Sequence, residues 1–236
     1  MERYWISLLE NAKELDIELT NNQLKQFQDY MKLLLEWNQK INLTAITEPE
    51  EIIQKHFIDS LTILKYIKEN DKVIDIGTGA GFPGIPIKIA KSEIEINLAD
   101  SLNKRINFLN IIIESLNLTK TNTIHTRIED LGKNKDYREK IDVVTSRAVA
   151  SFNVLLEYML PLLKIGGICI CMKGSNIEEI ENSKKALEIL GGNIEEVEEL
   201  MLPASNIKRN IIIVKKIKKT PTKYPRKAGI PSKLPL

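Results

Sequence analysis

Apolar residues first recur at three- and four-residue steps in Leu24, Phe27, Met31, Leu34 and Leu35, with Tyr30 and Trp37 beside them. That spacing gathers them on one face of a helix of about five turns. Thr20-Asn21-Asn22-Gln23 precedes the stripe in the order of a capping box. A second box, Thr47-Glu48-Pro49-Glu50, predicts another helix with Ile53, Phe57, Leu61 and Leu64 as its apolar face. Residues 37–46 mix polar and apolar positions and read as a structured connection. No strand signal occurs before residue 71, so residues 1–70 are predicted to form an N-terminal helical extension.

From there the pattern alternates. Apolar runs at 72–76, 94–100, 122–126, 141–146 and 168–172 predict strands, and 103–118, 154–163 and 177–190 predict helices. Gly166-Gly167 and Gly191-Gly192 read as glycine stops at helix ends. Two closing strands, 197–202 and 210–214, are joined through a hairpin connection at 203–208. Strand–helix alternation of this kind predicts an α/β, doubly wound, Rossmann-like domain over 71–217. Its sheet is expected to be seven-stranded and mostly parallel, with an antiparallel last strand. Residues 218–236 form a basic, proline-rich tail.

One stretch interrupts this regularity. Val73-Ile74-Asp75-Ile76 runs into glycine at 77, 79, 81 and 84, and Ile85, Ile87, Ile89 and Ala90 then resume an apolar pattern. The order is strand, tight turn, helix. Glycine there permits positive φ and close approach of a ligand to the backbone, and the helix start is expected to offer unpaired N–H groups. Asp100 ends the second strand about 20 residues on, where an acid bonds ribose hydroxyls; the plainer alternative is a cap on the next helix. A pyrophosphate loop is usually Gly-x-Gly-x-x-Gly, but here the third glycine comes one place early, at Gly81. Asp75 would repel a pyrophosphate and favour a cationic ligand. Spacing and acid together favour S-adenosylmethionine over a nicotinamide dinucleotide.

Composition narrows the class. The chain has 236 residues, 43 % hydrophobic and 28 % charged, as expected of a globular protein without long apolar spans. Its net charge is only +2, yet from Lys208 to Leu236 there are ten Lys or Arg and no Asp or Glu. That segment reads either as a solvated tail or as a phosphate-contacting one, in which Tyr224 and Arg226 offer stacking and charge. Cys169 and Cys171 are too close in sequence for an ordinary disulfide and read as reduced core residues. With His56 and His125 isolated, no metal site is expected. The absence of a signal-peptide pattern leads to a cytoplasmic, membrane-free expectation.

Several blocks carry a resemblance that the glycine loop alone does not. Asp75-Ile76-Gly77-Thr78-Gly79-Ala80-Gly81-Phe82-Pro83-Gly84 resembles the cofactor loop of the bacterial 16S rRNA guanine-N7 methyltransferases, also called glucose-inhibited division protein B. Trp37-Asn38 with Asn42-Leu43-Thr44, Lys55-His56-Phe57-Ile58-Asp59-Ser60, Ser146-Arg147-Ala148, and Tyr224-Pro225-Arg226-Lys227-Ala228-Gly229-Ile230-Pro231 resemble the same family in order.

The resemblance implies methylation of N7 of a guanosine in the 16S rRNA of the small ribosomal subunit, with S-adenosylmethionine as donor. It implies that Gly77 and Phe82 line the cofactor site, that Asp100 holds the ribose, that Ile128 and Glu129 flank the adenine, and that Arg147 closes the site. Asp75 and Gly79 belong to the same set from the loop itself. On the RNA side the candidates are Lys55, His56, Arg147, Arg226 and Lys227. His56 otherwise reads as a helix-packing or surface residue, and Arg147 as half of a structural salt bridge.

Guanine N7 has a lone pair and no proton, so in-line transfer needs no general base and no catalytic residue is assigned, Arg147 being the one candidate. Three rivals stand beside this reading: a nicotinamide-dependent oxidoreductase, a non-catalytic RNA-binding module, and a methyltransferase with another acceptor. The acting form is taken as a monomer. The target nucleotide, and whether bare or assembled RNA is the substrate, are open at this point.

Overall fold

The computed structural model describes residues 2–147, 150–174 and 178–236. Ala148 of the Ser146-Arg147-Ala148 block and Ile177, the expected start of a helix, lie outside the described residues. The N-terminal part is helical, as its stripe predicts: α1 (Arg3–Glu14) and α2 (Asn21–Ile41). The box at Thr20 forms. The Thr20 backbone N–H donates to Gln23 Oε1 at 2.8 Å, and the Gln23 backbone N–H donates to Thr20 Oγ1 at 3.3 Å. The box at Thr47 does not form: Glu48 is the N-cap and makes no side-chain cap. There α3 (Pro49–Ile52) runs into a π-helical turn (Ile53–Ile58) and then α4 (Asp59–Leu61). Ile53, Phe57, Leu61 and Leu64 are all buried, so the expected apolar face holds through the irregular turn.

The sheet has seven strands: β1 (Lys72–Ile76), β2 (Glu95–Asp100), β3 (Thr121–His125), β4 (Ile141–Arg147), β5 (Leu163–Lys173), β6 (Gly192–Met201) and β7 (Lys208–Lys216). Their spatial order is β3-β2-β1-β4-β5-β7-β6. The first five are parallel, and β7 runs antiparallel between β5 and β6. The chain leaves β1 for one side through β2 and returns to its other side with β4. Strand order reverses there, which puts a crevice at the carboxyl ends of β1 and β4.

The helices α5 (Gly84–Ala90), α6 (Asn103–Ser115), α7 (Ile128–Leu131), α8 (Phe152–Met159), α9 (Lys184–Leu190) and α10 (Ile230–Lys233) complete the fold. Gly166-Gly167 is not a helix stop, because α8 already ends at Met159 and the pair lies inside β5. A Cβ on Gly167 would stand 2.8 to 3.1 Å from the carbonyl oxygens of Asp142, Ile141 and Lys164, so the glycine serves close backbone approach. Gly191 does end α9, in the left-handed conformation at φ +87°.

Two cores form, one on each face of the sheet. The first joins the N-terminal helices to α5 and α6 through Phe27, Tyr30, Phe57, Ile85 and Phe108. The second holds α8, α9 and Tyr224 of the tail, with Cys169 and Cys171 unpaired inside it.

Candidate functional site

The glycine loop begins where β1 ends and is tied to the neighbouring strand. The amides of Gly77 and Thr78 both donate to the carbonyl of Ala99, at 2.9 and 3.1 Å. Gly77 and Gly79 take φ of +64° and +62°, values that favour glycine. Gly84 is glycine for another reason: a Cβ there would stand 2.3 Å from the Leu98 side chain and 2.9 Å from Asp75 Oδ2.

Asp75 differs from its expected role. It is fully buried, does not line the cavity, and holds the loop from below. Its Oδ2 accepts from Thr78 Oγ1 at 2.6 Å and from the Gly84 amide at 2.9 Å, while Oδ1 has no partner. Burial raises its pKa to about 7, opposed by these two hydrogen bonds and by the charge of Arg147. The start of α5 also departs from expectation, since it has no N–H to offer. Gly84 donates to Asp75, Ile85 donates to the Gly81 carbonyl, residue 86 is proline, and Ile87 donates to the Pro83 carbonyl. A pyrophosphate would find no unoccupied donors there.

The loop opens onto a cavity of about 560 Å³. Gly77, Gly79 and Phe82 line it, as expected. So does Asp100, 2 % exposed at the end of β2. One of its oxygens accepts from the Gly79 amide at 3.0 Å and from Arg105 at 3.2 Å; the other accepts from the Leu102 amide at 2.9 Å. Asp100 thus braces the turn into α6 and also lines the cavity. Ile128 and Glu129 enter at the start of α7, and Glu129 Oε1 accepts from Tyr158 at 3.3 Å and from the Gly229 amide at 3.0 Å.

The opposite wall is built on Arg147, the last residue of β4. Its guanidinium donates to the Lys55 carbonyl at 2.9 Å, to Asp59 Oδ2 at 3.1 Å and to His56 Nδ1 at 3.0 Å. It also lies 5.1 Å from the Phe82 ring centroid, with the His56 ring stacked on that same phenyl at 4.4 Å. Arginine cannot accept, so the Arg147 contact needs His56 Nδ1 as acceptor and the ring proton on Nε2, towards Thr44 Oγ1 at 2.9 Å, whereas the Lys55 carbonyl, 3.1 Å from Nδ1, pairs only with the tautomer protonated there. Burial first, and the Arg147 charge second, lower the His56 pKa to about 3. The ring is neutral across the physiological range. The π-helical turn that carries His56 is the kind of helix irregularity that often marks a functional segment.

The N-terminal helices shape this wall. Tyr30 of α2 donates to the Ala80 carbonyl at 2.6 Å and lies 5.4 Å from the Phe82 ring. Asn38 Oδ1 accepts from the Leu43 and Thr44 amides at 2.6 and 2.8 Å, which fixes the turn that presents Thr44. A second cavity of about 410 Å³ adjoins the first and shares His56 and Arg147 with it. Lys55, Lys173 and Arg209 contribute to its lining, and Asp59 bridges Arg147 to Arg209, which donates to it at 3.0 Å.

Of the two tail candidates, Lys227 is exposed, whereas Arg226 is held by Glu157, a carboxylate 1 % exposed. Its Nε and NH2 donate to that carboxylate at 2.6 to 3.1 Å. Tyr224, expected to offer stacking, is buried. Sequence reading missed Tyr30, Arg105, Tyr158, Arg209 and Ser232 as site residues. Asp59 and Thr44 stood inside the quoted blocks, but nothing in the sequence marked Tyr158 or Ser232.

Comparison with known proteins follows the same lines. The family model described as rRNA small subunit methyltransferase G matches residues 23–212. A protein of Acetivibrio thermocellus named ribosomal RNA small subunit methyltransferase G is 57 % identical over 230 residues, covering 97 % of this chain and 95 % of that one. One of the same name from Desulforamulus reducens is 53 % identical, covering 98 % of each. Among solved structures, a SAM dependent methyltransferase from Aquifex aeolicus superposes with a TM-score of 0.52 at 19 % identity, over 71 % of this chain and 93 % of that one.

Proposed function

The chain belongs to the rRNA small subunit methyltransferase G family, and from that premise we propose that it transfers the methyl group of S-adenosylmethionine to N7 of a guanosine in 16S rRNA. The observation that carries the cofactor half of this reading is the α5 N-terminus. Every donor there is occupied and a buried carboxylate stands behind it, while Asp100 and Glu129 set two carboxylates in a cavity wall that Arg105, Arg127 and Arg147 also line. Such a site suits a cationic sulfonium ligand with a ribose and disfavours a diphosphate. Gly77, Gly79 and Phe82 would line the donor, Asp100 would bond the ribose hydroxyls, and Ile128 with Glu129 would flank the adenine.

When bound, S-adenosylmethionine supplies an electrophilic methyl group. Guanine N7 presents a free lone pair, so the protein has no proton to remove. His56 agrees with this division of labour. Its Nδ1 is engaged by Arg147 and the Lys55 carbonyl and its Nε2 by Thr44, so the ring has no free nitrogen for proton transfer. What the chain contributes is alignment, which alone can supply about 7–11 kcal/mol of barrier reduction. Arg147, pinned by three partners over Phe82, is the rigid element between the two cavities.

The acceptor enters from the second cavity, where a phosphate backbone would compete with Glu51, Glu179 and Asp59 for Lys55, Lys173 and Arg209. The target base must be unpaired or leave its stack to reach the donor. Incubation with tritiated S-adenosylmethionine and small-subunit particles lacking the modification is expected to place label in the RNA, at a position revealed by N7-methyl-sensitive strand cleavage. Label in protein, or none in RNA, would overturn the reading.

A further inference from the structure

The basic tail raises a question that its charge does not answer. Of the groups from 218 onward, the most firmly held ones face the protein. Arg138 donates to the carbonyls of Tyr224 at 2.8 Å, Thr220 at 2.9 Å and Pro221 at 3.3 Å. The Thr220 amide donates to Glu139 at 3.0 Å, and its hydroxyl donates to the Leu190 carbonyl at 2.7 Å. The Pro225 ring packs on Gly132, just past α7, where a Cβ would meet it at 2.8 Å. Arg226 then grips Glu157 on α8 through its backbone N–H, its Nε and its NH2.

These anchors have a direction. Past Arg226 the chain turns towards the first cavity. The Gly229 amide donates to Glu129 Oε1 at 3.0 Å, Ser232 Oγ pairs with the Tyr158 hydroxyl at 3.1 Å, and Tyr158 pairs in turn with the same Glu129 oxygen at 3.3 Å. Glu129, Tyr158 and Ser232 all line that cavity. With Oε1 of Glu129 taken by Gly229 and Tyr158, Oε2 is the oxygen left for a ligand amino group.

We propose that the last dozen residues are a working wall of the methyl-donor site: Ser232 and Gly229 set the adenine end of the cavity through Tyr158 and Glu129, and the Arg226–Glu157 pair is the latch that holds them there. This rests on the cavity being the S-adenosylmethionine site. Ser232 meets the ligand directly with a hydroxyl that can donate or accept at the adenine edge. Arg226 is a positioning residue, acting through the segment it fastens. The net effect of the tail is on donor affinity, and its positive charge is a lesser contributor to RNA binding.

The test is titration calorimetry of the full chain with S-adenosylhomocysteine, with no RNA present, alongside salt-dependent binding to small-subunit particles. Ser232→Ala is expected to weaken the nucleoside ligand about three- to fivefold. Arg226→Gln, and a chain ending at Pro225, should weaken it tenfold or more. For the two point variants particle affinity is expected to change by no more than about twofold, with the slope of log affinity against log salt unchanged. A merely structural role would not separate the two ligands in this way. Unchanged nucleoside affinity in Ser232→Ala and Arg226→Gln, with particle affinity lowered, overturns the proposal and returns the tail to RNA. A wild-type chain that binds no S-adenosylhomocysteine overturns the methyltransferase reading and this one together. Because Ser232→Ala removes a single oxygen at the cavity wall, folding failure of the truncated chain leaves the result decisive.

Discussion

Two segments far apart in sequence hold opposite walls of one cavity, and they do it by different means. On the N-terminal side, Phe27, Tyr30, Phe57 and Phe82 cluster at centroid distances of 4.9 to 6.2 Å, continuous with the first core. On the C-terminal side the grip is largely polar, a guanidinium on Glu157 and an amide on Glu129, with Tyr224 as the main apolar anchor. Apolar packing is spread over many weak contacts and is lost only when the core is lost. A polar latch concentrates its strength in a few groups, and water can replace them once the segment lifts. The N-terminal wall should therefore unfold with the domain, while the C-terminal wall can detach from it.

The sharpest way to break this contrast is to cut into the aromatic cluster. Phe57→Ala removes a fully buried ring and is expected to cost about 3–5 kcal/mol of global stability, read from urea unfolding. A loss confined to ligand affinity, with the unfolding midpoint unchanged, would make the two walls alike.

A pH series on His56 comes next. Its folded pKa of about 3 lies below the ordinary value of 6.5, so between these values the unfolded chain binds the proton and the folded chain does not. Its contribution to stability is complete above about pH 6.5 and is lost as pH falls towards 3, at up to about 1.4 kcal/mol per pH unit. The stability gap between wild type and His56→Gln should narrow from pH 7 to pH 5. Asp75 acts with the opposite sign in an overlapping window, since its raised pKa makes rising pH unfavourable, so the gap between these two chains isolates His56 where the wild-type curve alone does not.

On the other wall, Arg226→Gln is expected to lower global stability by only about 1–2 kcal/mol, because the strap can lift and let Glu157 rehydrate. Hydrogen exchange should then rise from Lys227 to Leu236 and leave β1 to β4 protected. Protection lost everywhere at once would merge the strap with the core. The smallest effect is Tyr30→Phe, about 1 kcal/mol, since a single hydroxyl leaves the Ala80 carbonyl without its donor. Its signature is a weaker nucleoside ligand beside that small stability loss, which would show that the aromatic wall also carries one polar contact to the loop.

Much of the frame was legible because it is written in local periodicity. The stripe on α2, the strand–helix alternation and the seven strands follow from positions a few residues apart. So does the glycine loop, whose early third glycine correctly turned attention from diphosphate to sulfonium. The misreadings were of another kind. Gly166-Gly167 has the pattern of a helix stop, but its glycine serves the passage of β4 within Cβ distance of Gly167. Asp75, placed by its loop position among the ligand contacts, instead spends its carboxylate on Thr78 and Gly84. Arg226 is an RNA-contact candidate by sequence because its partner Glu157 stands 69 residues away.

The sequence by itself determined the element types, the layered architecture and the chemistry of the donor loop, because backbone propensity and periodicity act over one or two turns. It also carried enough ordered blocks to point to the family. Only the tertiary structure decided which charges are available. Whether Asp75 meets the ligand or braces the loop, whether His56 can move a proton, and whether the basic tail faces RNA or the cofactor all depend on partners brought together by folding. A charge states what a residue can do in water; burial and a fixed partner decide what it does in the protein.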